Sequence, residues 1–231
     1  MPKDMVQVYV WQIPVRFYHW LNAVVIVVLC ATGYIIGNPP ALKSATEASF
    51  QYWFGKVRFI HFLCAYIFLF NFLFRLYWGF VGNKYANWRN FLPFTRSFWK
   101  ESLEVLRLDI LQTRRGELVS VGHNSLASLT YFVLFLAFAF QVVTGFGMYA
   151  AMSKTWFPQL FAWIVPLMGG DFAVRQWHHM GMWFFIVFTM VHVYLVFYHD
   201  YVEGRATTSS MVGGWKFERV DVLKADSKET D

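Results

Sequence analysis

The sequence predicts an all-α integral membrane protein that folds as a four-helix bundle. Hydrophobic residues make up 57% of the 231-residue chain and charged residues only 15%, whereas an average soluble domain has about 25% charged residues. Four apolar runs are also long enough to cross a bilayer, which takes about 20 helical residues. We therefore expect residues 1–231 to form a single membrane domain that contacts the lipid bilayer and no nucleic acid.

Turn residues and polar segments separate the four spans. The first span ends at Gly37, before the helix-breaking Asn38-Pro39-Pro40. The connection after the second span is the most basic part of the chain, and its apolar residues at helical spacing predict an amphipathic surface helix at about 96–115. A polar tail is expected at 203–231. The spans themselves are predicted at about residues 17–36, 57–80, 125–150 and 174–199.

The distribution of lysine and arginine predicts the orientation of the spans. Of the 20 Lys and Arg residues, 15 lie in the N-terminus, the connection between the second and third spans, the C-terminal tail and at Arg75. The other two loops hold the remaining 5. Positive residues favour the cytoplasmic side of a membrane. Both termini are therefore expected to be cytoplasmic.

Histidines inside the apolar spans are the candidate functional residues, because ionisable side chains are costly at membrane depth and usually face the protein interior. His178 and His192 are fourteen residues apart, which places them about 21 Å apart along a helix and within about 40° of one face. His61 begins the second span and matches the depth of His178, near the outer side. His19 begins the first span and matches the depth of His192, nearer the cytoplasm. The sequence thus predicts two cross-helix pairs.

Two imidazoles at each of two depths favour haem chemistry. Neutral imidazole is an axial ligand of haem iron, and two such ligands saturate the iron, which favours electron transfer over oxygen binding. The sequence has no Cys-x-x-Cys-His, so covalent c-type haem is excluded. Three alternatives stay open on the residues alone: histidines that only pack between helices, another metal site, and a proton relay. Zinc usually recruits more ligands than each pair offers, and a relay more typically recruits intramembrane Asp or Glu.

Four further residues have candidate roles. Arg75 lies fourteen residues after His61, on nearly the same helix face. It is either a positive residue that reaches the cytoplasmic interface or a partner for the propionates of a haem held by His19 and His192. His179 is turned about 140° from His192 and is left out of the pairs. His199 is expected at the interface, and His123 lies in the turn before the third span.

The chain also resembles a known family through an ordered set of segments. These are PVRFYHWLN, RFIHF, RLYWGFVGNKY, VGHNSLAS, VTGFGMY and WHHMGMW followed by HVY. They are similar to the di-haem b-type cytochrome subunit of membrane-bound nickel–iron hydrogenases, and the resemblance runs from Val15 to about Trp215. The family's haem-ligand positions match His19, His61, His178 and His192.

The resemblance implies a four-span subunit of the bacterial cytoplasmic (inner) membrane with two non-covalently bound haem b groups. Such a subunit takes electrons from the small, iron–sulfur subunit of a hydrogenase, which also has a large subunit, and passes them to the membrane quinone. His123 then either contacts the quinone or serves the turn before the third span. By itself it does not oxidise hydrogen. The alternatives are a cytochrome b subunit of another quinone-linked oxidoreductase, similar to that of formate dehydrogenase, and a haem-free membrane anchor or transporter.

Overall fold

Four long helices, each apolar and long enough to cross a membrane, dominate the computed structural model of the chain. The structure describes residues 5–40, 52–88, 125–204 and 206–220, and the separate positions 99, 100, 102, 103, 107 and 223. His123, the side chain of His199 and most of the surface helix expected at 96–115 lie outside these residues. The elements in chain order are β1 (Met5–Tyr9), α1 (Ile13–Gly37), α2 (Trp53–Val81), α3 (Ser125–Ala150), α4 (Trp156–Gln159), α5 (Ile164–Leu167), α6 (Asp171–Glu203), α7 (Thr207–Gly213) and β2 (Trp215–Arg219).

The lengths of α1, α2, α3 and α6 confirm the prediction of an all-α membrane fold with four spans. They contain 25, 29, 26 and 33 residues. At about 1.5 Å per residue, each is longer than the roughly 30 Å hydrocarbon core of a bilayer. Each helix also extends beyond the limits of its predicted span or matches them, because helical hydrogen bonding continues into the polar residues that flank an apolar run.

The chain divides into two compact units. The first, which we call the four-helix unit, consists of His19–Phe74 and Ala137–His192. The second, which we call the terminal unit, consists of Met1–Tyr18, Arg75–Leu136 and Val193–Asp231. In the four-helix unit, Phe138 of α3 packs against Phe68 of α2 and Phe185 of α6, with ring centroids 5.1 and 5.3 Å apart. The buried amide of Asn71 donates to the side-chain oxygen of Asn22 over 3.0 Å and joins α2 to α1. Parts of all four long helices therefore form one packed unit.

The terminal unit contains a two-stranded antiparallel sheet in which β1 pairs with β2, from Met5 opposite Arg219 to Tyr9 opposite Trp215. Beside the sheet, the indole nitrogen of Trp11 donates to Ser210 Oγ over 3.1 Å. The Arg16 guanidinium donates to the carbonyl oxygen of Val212. The sequence prediction of a plain polar tail missed α7 and β2, because a five-residue strand has no helical period and its partner lies at the other end of the chain.

Candidate functional site

His61 projects from α2 toward α1 within the four-helix unit. Its Nδ1 lies 2.9 Å from Oγ1 of Thr32. The same hydroxyl lies 2.7 Å from the carbonyl oxygen of Val28, one turn earlier in α1. One ring nitrogen of His61, Nδ1, therefore contacts a hydroxyl group of the neighbouring helix.

His178 has the same surroundings on a different pair of helices. Its Nδ1 lies 2.9 Å from Oγ1 of Thr144 in α3. That hydroxyl lies 2.7 Å from the carbonyl oxygen of Phe140, again one turn earlier. Thr144 is fully buried, so this contact lies inside the protein.

A glycine follows each of these threonines and makes room for the histidine ring. A Cβ at position 33 would lie 3.3 Å from Cε1 of His61, and a Cβ at position 145 would lie 3.0 Å from Cε1 of His178. Both distances are shorter than ordinary carbon–carbon contacts of about 3.5–4.0 Å. Glycine at both positions therefore lets the imidazole rings approach the backbone of the neighbouring helix.

His61 and His178 line one cavity of about 870 Å³. This volume lies within the range of about 300–1,000 Å³ that small-molecule and cofactor sites occupy. Most of the lining is apolar or aromatic, as suits a flat macrocycle, and Arg58 and Arg175 add two positive side chains. His179 also lines the cavity, although the helix-phase argument separated it from the pairs.

His19 and His192 form the second predicted pair, and they meet within the four-helix unit. Their ring centroids are 6.3 Å apart, with an angle of 55° between the planes. Two imidazoles that bind one metal ion from opposite sides, each nitrogen about 2 Å from it, have centroids about 6 Å apart. His192 also stacks on Phe188 over 5.5 Å, so an aromatic side chain supports its ring.

Arg75 belongs to the terminal unit, where its side chain is 1% exposed. Its guanidinium donates to the carbonyl oxygen of Ala86 over 3.2 Å and to the hydroxyl of Tyr131 over 3.3 Å. The guanidinium also lies 5.6 Å from the ring centroid of Trp88. Protein groups thus hold Arg75, and its predicted role as a propionate partner stays a prediction.

The sequence prediction missed Arg58, Arg175, Thr32 and Thr144, yet two repeated patterns mark them. Val-Arg-x-x-His occurs at Val57–His61 and Val174–His178, and it also occurs at Val15–His19. Thr-Gly followed by an aromatic residue occurs at 32–34 and at 144–146. Both patterns recur in different spans, so the signal for these residues is a repeat between spans and not a feature of any one span.

The residues present fit haem b. Each pair has two imidazoles, and haem iron offers two axial positions. The glycines give room beside the rings of one pair. In the other pair, the buried Nδ1 of His19 has no hydrogen-bond partner within the described part of the chain.

Four apolar helices, each long enough to cross a membrane, and four histidines between them are typical of one class of protein: the multi-pass b-type cytochromes, which transfer electrons. The family model of the prokaryotic cytochrome b561 matches residues 10–214. The chain belongs to this family, and haem b is its implied cofactor.

Curated relatives are similar over nearly the full length. The probable Ni/Fe-hydrogenase B-type cytochrome subunit of Cupriavidus necator is 41% identical over 93% of this chain and 88% of that protein. The protein of the same name from Azotobacter vinelandii is 41% identical over 95% of this chain and 92% of its own length. The probable Ni/Fe-hydrogenase 1 B-type cytochrome subunit of Escherichia coli K12 is 33% identical over 92% of both chains. These matches confirm the resemblance drawn from the sequence segments.

Proposed function

We propose that this protein is the b-type cytochrome subunit of a membrane-bound nickel–iron hydrogenase and that it passes electrons through two bis-histidine haems to the membrane quinone. The observation that supports this most strongly is the meeting of four intramembrane histidines in two pairs, one around a cavity of about 870 Å³ and one with ring centroids 6.3 Å apart. The names of the relatives support the choice of hydrogenase as the partner.

In the cavity, His61 and His178 would hold the first haem through their Nε2 atoms, because their Nδ1 atoms already contact threonine hydroxyls. Arg58 and Arg175 would bind the haem carboxylates, since guanidinium groups form strong charge-assisted hydrogen bonds to carboxylates. Arg175 also forms an ion pair with Asp171, whose Oδ2 lies 2.6 Å from its Nε. Both arginines line the cavity. Each precedes its histidine by three residues, so the helical period places it about one turn nearer the helix start.

His19 and His192 hold the second haem. Iron that alternates between the ferric and ferrous states supplies the one-electron chemistry at both sites. The histidines would bind and orient the macrocycles, and two imidazoles at each iron would keep oxygen from binding there. His178 and His192 belong to one helix, α6, and are about 21 Å apart along it. This spacing suits a path that crosses most of the bilayer.

The direction of transfer follows from the predicted orientation. With both termini in the cytoplasm of the inner membrane, the cavity of His61 and His178 lies near the outer face, where the small, iron–sulfur subunit of the hydrogenase docks together with its large subunit. Electrons then enter at the cavity and leave toward quinone from the side of His19 and His192.

An optical spectrum of purified membranes tests the haem assignment, and the expected result is a reducible b-type signal from two haems per chain. Its absence would favour a haem-free anchor or transporter. Co-purification of the soluble subunits identifies the partner: a formate dehydrogenase in place of a hydrogenase would overturn the choice of complex and keep the haem sites.

His19→Ala tests the path. Hydrogen oxidation with a dye that collects electrons at the soluble subunits is expected to persist, whereas reduction of the native quinone is expected to collapse. Wild-type quinone reduction with the second haem missing would place the quinone beside the cavity haem and overturn the transmembrane path.

A further inference from the structure

The same small motif occurs twice around the cavity, on two different helices. In α1 it is Thr32-Gly33 and in α3 it is Thr144-Gly145. In each case the threonine hydroxyl contacts a histidine Nδ1 at 2.9 Å, and the glycine lies beside the same ring. Two independent helix pairs thus build one arrangement, which indicates a shared requirement at His61 and His178.

Hydrogen-bond chemistry assigns the protons in this arrangement. A threonine hydroxyl has one hydrogen to donate, and a backbone carbonyl only accepts. Thr32 Oγ1 lies 2.7 Å from the Val28 carbonyl oxygen and 2.9 Å from His61 Nδ1. Both contacts are hydrogen bonds only if the hydroxyl donates to the carbonyl and Nδ1–H donates to the hydroxyl. The same reasoning holds at Thr144, whose Oγ1 lies 2.7 Å from the Phe140 carbonyl oxygen.

We propose that Thr32 and Thr144 are positioning residues that hold His61 and His178 as Nδ1–H tautomers, direct both Nε2 lone pairs into the cavity, and lower the redox potential of the haem bound there. This inference rests on the proposed function, because it takes His61 and His178 as haem ligands. The two threonines act through the histidines and touch no iron.

The effect on the potential follows from the basicity of the ligand. An imidazole that donates its second N–H to an acceptor becomes a more basic ligand. A more basic ligand stabilises the more highly charged ferric state more than the ferrous state, so the potential falls. Hydrogen bonds around the ligands are among the known means by which proteins tune haem potentials.

The second histidine pair gives an internal contrast. The buried Nδ1 of His19 has no hydrogen-bond partner among the residues that the structure describes. His61 and His178 both have one. The threonine contacts therefore contribute a lower potential at the cavity haem, and a lower potential there favours electron flow from the cavity toward His19 and His192.

Threonine-to-valine variants test the proposal, because valine keeps the shape of threonine and removes the hydroxyl. We would prepare Thr32→Val and Thr144→Val in the full complex, each beside the serine variant at the same position, which restores a hydroxyl. Thr130→Val is the matched control, since Thr130 Oγ1 also donates to the carbonyl one turn earlier, that of Leu126, over 2.9 Å. The readouts are haem per chain and an optical redox titration.

We expect each valine variant at 32 or 144 to raise one of the two midpoint potentials and leave the other unchanged. If the histidine ligands lose ten times more affinity for ferric than for ferrous haem, the midpoint potential rises by about 59 mV, because reduction is a one-electron step. Losses of about 10- to 100-fold in metal affinity are typical when such an outer hydrogen bond is removed. The serine variants are expected to restore the potential, and Thr130→Val is expected to change neither haem.

Wild-type potentials in both valine variants would overturn the positioning role. If a valine variant loses one haem instead, the serine variant decides: recovery of the haem supports the hydroxyl, and continued loss indicates a packing role and overturns the proposal. A wild-type complex without two bis-His haems would contradict the proposed function itself, so the two failures are distinguishable.

Discussion

The imidazole rings of His19 and His192 face each other with their centroids 6.3 Å apart, farther apart than rings joined directly by a hydrogen bond and close enough to bind one metal ion from two sides. His19 comes from the first turns of α1, and His192 comes from the second half of α6. Residues at opposite ends of the sequence thus form one candidate site.

His19→Ala and His192→Ala are expected to lose the same haem, because the two ligands act as a unit at one iron. The double variant should be no worse than either single variant, which is the signature of strong coupling. Haem per chain and the optical spectrum measure this outcome. Two normal bis-His haems in either single variant would reject the pairing.

His178→Ala and His179→Ala form a matched pair of neighbouring substitutions. Both histidines line the cavity, but only His178 has a threonine partner at Nδ1 among the contacts described above. We expect His178→Ala to remove one haem of two and His179→Ala to keep both. Equal loss from the two variants would show that the helix-phase argument selected the wrong neighbour.

Gly145→Ala is expected to disturb the cavity haem more than Gly33→Ala, because the added Cβ would lie 3.0 Å from His178 in the first case and 3.3 Å from His61 in the second. Gly55→Ala is the control, since a Cβ there would meet nothing within 4 Å. Gly33 and Gly145 lie inside helices, where alanine has the better helix propensity by about 1 kcal/mol, so loss of helix propensity does not explain a changed spectrum. Unchanged spectra in both test variants would argue against close packing of the rings on α1 and α3.

Arg58→Gln and Arg175→Gln are expected to weaken binding of the cavity haem, because each removes a positive partner for a carboxylate. Lys56→Gln is the control: it removes a nearby exposed charge that does not line the cavity. The measurement is the fraction of each haem retained after competition with a haem-binding apoprotein. Equal retention in all three variants would leave the cavity arginines without a role in binding.

Arg75→Gln is expected to lower the thermal stability of the protein. The variant removes hydrogen bonds from a buried guanidinium to Ala86 and Tyr131, and hydrogen bonds of charged groups contribute about 1.5–3 kcal/mol each. Haem content in the same variant checks the propionate role predicted from the sequence. Loss of the haem held by His19 and His192 would support that role. Two retained haems with a lower melting temperature would instead show that Arg75 stabilises the fold alone.

Composition and helical period predicted the spans because a bilayer imposes one length and one polarity on every crossing segment. Depth and phase also grouped His61 with His178 and His19 with His192. Depth and phase are properties of a single helix, so they indicate residues that differ from the rest of their own span, as a histidine does in an apolar helix. Thr32 and Thr144 do not stand out, since a threonine in an apolar helix usually satisfies its hydroxyl on its own backbone. Their second contact depends on which helix lies beside them, and the helical period contains no such information.

The pairing of β1 with β2 has a consequence for the order in which the protein is made. Trp11 and Ser210, which join the two ends beside the sheet, are 199 positions apart in the chain. The first strand is synthesised before any span and has no partner until all four spans have left the ribosome. The sheet therefore forms only after the four spans have been synthesised. A protease that cuts after α7 would leave β1 without its covalently linked partner strand. Pairing of β1 therefore requires that the chain extend through β2.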